Sequence, residues 1–475
     1  GGDTIDMAGG LTVKDTINGG DGADTLKIDV ADDGAGTSPD QAFTDFPITN
    51  VETVSVAIND AHGTTINAAG LEDTTVVSVN AATTDKDVTV NKLAAGQEVS
   101  VVNNSAGTLE LGDVAVNLAS DIGTADTMTV NLTASSDADQ TLDKLTVDSG
   151  SEAATINVNG KNTTSGSDFT LTSLLADGAK TVTFTGAGNL ITTLNESGTN
   201  VTTAVNASAM TGEFKFTEGV TNDLTITGSA TAKNTFVMGA TLDNDDTLTG
   251  GSSTKDSVSA TINASTATTG KFNLTAIETL ALTVTDGSTN TVDLSSSSGV
   301  TAATIAASAG AGNGVLTLKG LASGTTVSTT EQGTNDFDGS LTVALADATG
   351  ASDAITIGLE NDTTADDFTF VSSGIETVTF AGNTTDGINA GTDVDISGSD
   401  ATSIVLSGGD SSSKVNFSGA NANKALTSVD ATGWAGIVDV DASTATTAAA
   451  ITVNLGSFDA SSGDAATGTT ATANN

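Results

Sequence analysis

GGDGADTLK, residues 19–27, is the stretch of sequence from which the fold of this chain follows. It matches the nonapeptide G-G-x-G-x-D-x-U-x, in which U is apolar, at every specified position: Gly19, Gly20, Gly22, Asp24 and Leu26. The pattern joins a glycine-rich turn, whose carbonyl oxygens point inward, to a short strand that buries its apolar residue. Such units stack coil upon coil, so the stretch predicts a parallel β-solenoid or β-roll.

The same turn has the chemistry of half a calcium site. Calcium takes roughly six to eight hard oxygen ligands, and inward carbonyls plus one carboxylate supply part of that set. Looser turns lie next to it at Gly1–Ile5 and Gly9–Ile17, where Asp3 and Asp15 also stand two residues before an isoleucine. The ligands predicted in this region are Asp3, Asp15, Gly19, Asp21, Gly22 and Asp24. The alternative is an acidic hairpin turn that holds no metal.

A second acidic segment, LDNDDTLTGGSSTKDSV at 242–258, is a weaker version of the first because it lacks two of the glycines. The sequence of this segment fits a metal-binding turn and a metal-free acidic turn equally well. The ligands predicted in it are Asp243, Asp245, Asp246 and Asp256.

The two acidic segments belong to a longer internal repeat. DTINGGDGADTLKID (15–29) is followed by TNVETVSV (49–56), and DTLTGGSSTKDSVSATI (246–262) is followed by TAIETLALTV (275–284). We therefore predict three parts: calcium-binding turns at 1–30, a first β-solenoid module at 31–238 and a related second module at 239–475.

Short apolar alternations run through the chain and predict strands. In the first module they begin 10 to 12 residues apart: TVSVAIN (53–59), TTINAAG (64–70), TVVSVNA (75–81), DVTVNKL (87–93), EVSVVNN (98–104) and TLELGDV (108–114). No segment has the 3.6-residue period of an amphipathic helix, and the chain holds only two prolines. The sequence therefore predicts an all-β protein.

Two all-β architectures fit strands of this length. Tandem β-sandwich modules need thick cores that are usually filled by aromatic side chains, and aromatic residues make up only 3% of this chain. A solenoid has a thin core that valine and threonine fill well, and its corners accept Asn, Asp and Gly. An elongated parallel β-solenoid is the favoured prediction, and tandem β-sandwiches are the alternative.

Composition excludes several functional classes. The net charge is −45, and all 14 basic residues are lysine, so the chain is not built to neutralise nucleic-acid phosphates or to bind anionic membranes. No apolar run is long enough to insert into a bilayer. The chain has no cysteine, which fits an exported protein that folds without disulfides. Residue 1 is a glycine inside a repeat, which predicts that the natural chain begins upstream.

The remaining chemically interesting residues have plain structural interpretations. His62 is a lone histidine and supports neither a zinc motif nor a triad. Glu52, Glu278 and Glu376 recur in I/V-E-T, which predicts a buried hydrogen bond at the start of a strand rather than a glycosidase carboxylate pair. Trp434 fills a gap in the core or lies at a contact between molecules. Asp32-Asp33 and Asp366-Asp367 are solvated loop charges or lattice calcium ligands.

GGDGADTLKIDV, followed by ITNVETVSV, resembles the repeat-in-toxin (RTX) type surface-layer (S-layer) proteins of Gram-negative bacteria. The resemblance implies type I secretion, calcium-dependent folding outside the cell and self-assembly into a two-dimensional array. It also implies that a region absent from this chain anchors the protein to lipopolysaccharide. The chain departs from the pattern in having few intact nonapeptides and no recognisable C-terminal secretion signal.

The expected function is that of a secreted structural protein of the cell surface, with calcium as cofactor and further copies of itself as partner. A calcium-stiffened RTX adhesin or extracellular stalk segment is the alternative. A polysaccharide-modifying enzyme on a β-helix is disfavoured, because the chain has no arginine or tyrosine to line a substrate groove. We therefore expect no enzymatic activity.

Overall fold

The fold was analysed in a computed structural model, which describes most of the chain. The described residues are 1–7, 11, 14–31, 40–44, 46–59, 63–81, 86–103, 109–120, 123, 125–134, 139–148, 150–160, 168–196, 201–262, 270–285, 287, 289–307, 314–330, 339–359, 367–382, 392–396, 398–409, 414–418, 426–435, 437–440 and 452–455.

These residues form forty strands and no helix, so none of them belongs to a helix that could cross a membrane. The first twenty are β1 (Thr4–Met7), β2 (Ile17–Asn18), β3 (Thr25–Ala31), β4 (Asp40–Ala42), β5 (Ile48–Thr49), β6 (Thr53–Asn59), β7 (Thr64–Asn67), β8 (Val76–Ala81), β9 (Val88–Leu93), β10 (Glu98–Asn103), β11 (Leu109–Leu118), β12 (Thr127–Ala134), β13 (Gln140–Val147), β14 (Ala153–Gly160), β15 (Phe169–Leu175), β16 (Thr181–Gly186), β17 (Leu190–Asn195), β18 (Ala204–Met210), β19 (Phe214–Glu218) and β20 (Thr225–Thr227).

The other twenty are β21 (Asn234–Gly239), β22 (Thr247–Thr249), β23 (Ser257–Ile262), β24 (Gly270–Lys271), β25 (Asn273–Thr275), β26 (Thr279–Val284), β27 (Thr289–Asp293), β28 (Ala302–Ala307), β29 (Val315–Leu321), β30 (Thr326–Thr330), β31 (Ser340–Leu345), β32 (Ala354–Leu359), β33 (Asp367–Ser373), β34 (Thr377–Gly382), β35 (Thr392–Asp395), β36 (Ser403–Gly408), β37 (Lys414–Ser418), β38 (Ser428–Trp434), β39 (Ile437–Val440) and β40 (Thr452–Leu455).

The chain divides into two compact units. Unit 1 comprises Gly1–Val237 and Leu248–Thr254, and unit 2 comprises Met238–Thr247 and Lys255–Asn475. The predicted boundaries after residues 30 and 238 stay a prediction, although β1 and β3 continue the same sheet as the strands that follow them.

Unit 1 is a parallel β-solenoid. One sheet runs β1-β3-β6-β8-β10-β12-β14-β16-β18-β20, so that strands from successive coils lie side by side. The second sheet runs β4-β7-β9-β11-β13-β15-β17-β19-β21, and β2 pairs with β5 apart from both. Every one of these pairings is parallel, which confirms the solenoid prediction for this unit.

Unit 2 repeats the architecture. One sheet runs β23-β26-β28-β30-β32-β34-β36-β38-β40, and the other runs β24-β27-β29-β31-β33-β35-β37-β39. All of these pairings are parallel as well. The predicted all-β parallel solenoid is therefore confirmed in both units.

The thin core is built by stacking like side chains on like. In unit 1, Val54 lies beside Val77 and Val77 beside Val99 in register, and all three are fully buried. Most of the positions that alternate with them are only half-buried, and several of these carry small polar residues such as Ser55 and Asn80. This explains why a chain so poor in aromatic residues can still bury a continuous core: each small β-branched side chain packs on its equivalent in the next coil.

Candidate metal site

The glycine-rich stretch at the start of unit 1 places three acidic residues in one row. Because Thr4, Thr25 and Thr53 are register partners on β1, β3 and β6, the residues before them occupy equivalent positions on three coils. Those residues are Asp3, Asp24 and Glu52, which we call the acidic row. The structure thus brings two of the predicted ligands, Asp3 and Asp24, together on neighbouring coils.

Backbone and carboxylate groups hold the acidic row together. The N–H of Asp3 donates to Oδ1 of Asp24 at 2.6 Å, and the N–H of Asp24 donates to Oε2 of Glu52 at 2.6 Å. The N–H of Thr25 donates to the carbonyl of Asp3 at 2.8 Å, and that of Thr53 to the carbonyl of Asp24 at 3.0 Å. The carboxylates of Asp24 and Glu52 therefore each hold the start of the preceding coil.

These bonds leave one carboxylate oxygen of Asp24 without a hydrogen-bond partner among the described residues. That oxygen is Oδ2, and the side chain of Asp24 is fully buried. A buried carboxylate with an unpaired oxygen is costly unless a positive charge compensates it. Among the described residues, no lysine bridges to Asp24.

Glycines make room for oxygen atoms around Asp24. A Cβ atom on Gly19 would collide with the carbonyl oxygen of Asn50 and would lie 2.8 Å from Oδ2 of Asp24. A Cβ on Gly22, whose φ is 142°, would lie 2.6 Å from the carbonyl oxygen of Gly1. Gly19 is therefore packed directly against a carbonyl oxygen and a carboxylate oxygen, which are the hard ligands that calcium takes. The residues present fit calcium in their donor chemistry.

The other predicted ligands near the start lie outside the acidic row. Asp15 is half-buried and precedes β2, which pairs with β5 and not with the strands that follow the row. Asp21 is exposed, and its carbonyl oxygen accepts a hydrogen bond from the amino group of Gly1 at 3.1 Å.

The candidate ligands of the second acidic segment are arranged differently. The N–H of Asp243 donates to Oδ2 of the buried Asp246 at 3.0 Å, and the N–H of Asp245 donates to Oδ1 of Asp243 at 2.8 Å. Asp243 and Asp245 are exposed, whereas Asp256 is fully buried. The carboxylates of Asp243 and Asp246 thus bond to the backbone of their own turn, which an acidic turn can do without metal. Carboxylate oxygens of the exposed Asp243 and Asp245 also lie within 4.8 Å of one from Asp223.

The contact between Asp24 and Glu52 recurs along the chain. In each case the N–H of an aspartate before one strand donates to Oε2 of a glutamate on the next coil, with N···O distances of 2.6 Å for Asp24 and Glu52, 2.8 Å for Asp126 and Glu152, 3.0 Å for Asp256 and Glu278, and 2.8 Å for Asp353 and Glu376. We call these four pairs the Asp–Glu rungs. They confirm the hydrogen bond at the start of a strand that was predicted for Glu52, Glu278 and Glu376, although the bond is part-buried and not fully buried.

Sequence reasoning missed Asp126, Glu152 and Asp353 as members of these rungs. The signal was available, because Asp126-Thr127-Met128 repeats the order of Asp24-Thr25-Leu26, but no glycine pair precedes it. Oδ2 of Asp126 is also a buried oxygen without a described partner. Asp353 differs, since its Oδ2 accepts the N–H of Gly350 at 3.0 Å.

Other residues singled out in the sequence take no part in the acidic row. Trp434 is buried at the end of β38, where its ring abuts Gly382, so it fills a gap in the core of unit 2. His62, Asp32, Asp33 and Asp366 lie outside the described residues, as does the side chain of Asp367.

No family model matches the chain, and no curated protein is similar to it. The assignment of the site therefore depends on its geometry and on the sequence pattern.

Proposed function

We propose that this protein is a calcium-binding structural component of a bacterial cell surface, which is secreted and assembles with copies of itself into a two-dimensional S-layer array. The observation that supports the metal is the buried Oδ2 of Asp24, which lacks a hydrogen-bond partner among the described residues and lies close to Gly19, where the carbonyl oxygen of Asn50 also approaches. The solenoid fold and the resemblance of GGDGADTLK to RTX-type S-layer proteins support the structural role.

Calcium couples to folding in this proposal through charge. The chain carries 59 acidic and 14 basic residues, so its folded form concentrates like charges that repel one another. A cation that binds the folded acidic row and not the unfolded chain stabilises the folded state by mass action. Where calcium is scarce the chain stays open, which suits export, and it folds on meeting external calcium.

The metal is tested first at Asp24. Asp24→Asn keeps a side-chain oxygen that can accept the N–H of Asp3, but it removes the negative charge. We expect calorimetric titration with calcium to show at least one fewer bound ion in this variant, with the β circular dichroism retained at saturating calcium. Asp353→Asn is the matched control, because the carboxylate of Asp353 is held by its own turn and the variant should keep the wild-type stoichiometry. Equal stoichiometry in Asp24→Asn and wild type would contradict the proposed site.

Assembly is tested by imaging. Negative-stain micrographs of the full chain in millimolar calcium are expected to show ordered sheets that a chelator disperses. Particles that stay monodisperse at high protein concentration in calcium would argue against a lattice. Elongated single particles without lateral contacts would instead support the adhesin or stalk alternative.

A further inference from the structure

A shallow groove crosses the outward face of the second sheet of unit 1. It has a volume of about 360 Å³, and β4, β7, β9 and β11 contribute its lining, which includes Thr65, Asn67, Asn91, Lys92, Asn117 and Leu118. This volume lies at the lower end of the roughly 300–1,000 Å³ typical of small-molecule sites. The groove shares no lining residue with the acidic row.

Three asparagines give the groove a line of amide groups. Asn67 and Asn91 are register partners on β7 and β9, and Asn117 follows on β11. Nδ2 of Asn117 donates to Oδ1 of Asn91 at 2.7 Å, and Oδ1 of Asn67 accepts the N–H of Ala69 at 3.1 Å. Among the described residues, Nδ2 of Asn67, Nδ2 of Asn91 and Oδ1 of Asn117 have no hydrogen-bond partner. These half-buried groups offer two donors and one acceptor to a ligand.

Lys92 adds a cation in an unusual backbone conformation. Its φ is 59°, and it is the extra residue where the pairing of β9 with β11 shifts register between Val116 and Leu118. Left-handed backbone at a residue other than glycine is strained, and bulges of this kind redirect side chains. Lys92 is exposed and has no acidic partner among the described residues, which is notable in a chain with this excess of carboxylates.

We propose that this groove binds a linear, uncharged polysaccharide whose chain lies along the stack of coils. Neighbouring strands are about 4.8 Å apart, close to the length of one sugar unit in an extended β-1,4-linked glycan, so successive sugars meet equivalent amides. Amide groups and the Lys92 ammonium donate to sugar hydroxyls, and the part-exposed Leu118 offers an apolar contact to a ring face. The net charge of −45 disfavours an acidic polymer.

Binding is tested by saturation-transfer NMR and calorimetry on the full chain, with cellohexaose, xylohexaose, mannohexaose and chitohexaose as probes and oligogalacturonate as the acidic comparison. Two variants remove the protein side chains that would bind the saccharide. Lys92→Gly keeps the left-handed bulge, which glycine adopts without strain, and removes the ammonium. Asn91→Leu with Asn117→Leu replaces both partners of one hydrogen bond by apolar groups of similar size, a substitution that tends to preserve stability.

We expect at least one neutral hexasaccharide to bind, and each of these changes to weaken that binding by about threefold to tenfold, the effect of losing one or two hydrogen bonds. The matched control is Asn131→Leu with Asn157→Leu, which removes the corresponding amide pair on the other sheet of unit 1 and should leave binding unchanged. The proposal is overturned if no neutral hexasaccharide binds in the millimolar range, if only oligogalacturonate binds, or if the control pair weakens binding as much as the groove variants.

Discussion

Asp168 is a carboxyl group whose surroundings oppose its charge. Burial raises the pKa of Asp168 most, and repulsion from Asp139 one coil away and from Glu213 two coils away raises it further. A hydrogen bond to Asn189 and the charge of Lys215 only partly offset this. Because the pKa is raised in the folded state, the protonated form stabilises folding. That contribution is fully present below the unfolded pKa near 3.9 and is lost as the pH rises through the folded pKa.

At neutral pH the ionised Asp168 therefore destabilises the fold, and Asp168→Asn should stabilise it. We expect the free energy of unfolding of Asp168→Asn to exceed that of wild type by about 0.5 kcal/mol at pH 7, since water screens part of the repulsion. Below about pH 4 the two free energies should be equal, because Asp168 is then protonated in wild type. Urea denaturation at both pH values measures them. Asp347→Asn is the opposite control: a hydrogen bond from the side chain of Thr349 lowers the pKa of Asp347, so this change should slightly destabilise at pH 7. Equal gains at both pH values would exclude charge as the cause.

Gly382 in unit 2 has no room for a side chain. A Cβ atom there would lie 2.7 Å from two carbons of the Trp434 ring and 3.0 Å from the backbone nitrogen of Gly409. Overpacking of this kind costs roughly 1–3 kcal/mol, so we expect Gly382→Ala to lower the free energy of unfolding by that amount. Fluorescence of Trp434, the single tryptophan, follows the transition during denaturation. Gly287→Ala is the control: no atom of the described residues lies within 4 Å of the new Cβ, so the midpoint of denaturation should stay unchanged.

At the scale of the strand, the Asp–Glu rungs fix where strands begin. The N–H of the fully buried Asp256 donates to Glu278, and the N–H of Glu278 donates back to the carbonyl of Asp256 at 3.0 Å. Glu278→Ala removes the acceptor of the first of these bonds, which costs about 1–3 kcal/mol. Glu278→Gln keeps an acceptor oxygen and should recover most of the loss. Denaturation followed by Trp434 fluorescence compares the two, and an equal loss in both would mean that charge, not the hydrogen bond, matters.

The sequence predicts where strands occur better than it predicts where they end or which strands they pair with. TVSVAIN (53–59) coincides with β6, because its alternation of buried and outward residues is complete. TTINAAG (64–70) stops early, at Asn67, since the turn that follows is stabilised by the bond from Ala69 to the Asn67 side chain. TLELGDV (108–114) was too short for β11, which continues to Leu118. Pairing partners on the next coil lie beyond any local pattern.

The sequence predicts the part of the candidate site that lies in or next to the glycine-rich motif. The nonapeptide identified Asp24 and its neighbour Asp3, which the register does place side by side. It gave no indication that Glu52 completes the row, because that glutamate lies one coil further along the chain. The motif does not identify Asp126, because the short segment before it carries no glycine pair and the order Asp-Thr-apolar that it shares with Asp24 does not by itself specify a bond to the next coil.

At the scale of the whole molecule, the charge of −45 makes stability depend on the ions in solution. Any salt screens the repulsion among exposed carboxylates, and at 0.15 M the screening length is about 8 Å. Specific binding of calcium at the acidic row raises the free energy of unfolding separately. This contribution grows with the logarithm of the calcium concentration, by about 1.4 kcal/mol per tenfold increase for one saturated site.

The two effects separate in a thermal experiment at constant ionic strength. We expect replacement of sodium chloride by calcium chloride of equal ionic strength to raise the melting temperature of the full chain, and the rise to be smaller in Asp24→Asn. Sodium chloride alone should stabilise wild type and Asp24→Asn by similar amounts, because screening depends on the total charge, which the variant changes by one unit in 45. If calcium chloride and sodium chloride give the same melting temperature at matched ionic strength, screening alone accounts for the stabilisation. The buried carboxylate of Asp24 must then be compensated by a group other than calcium.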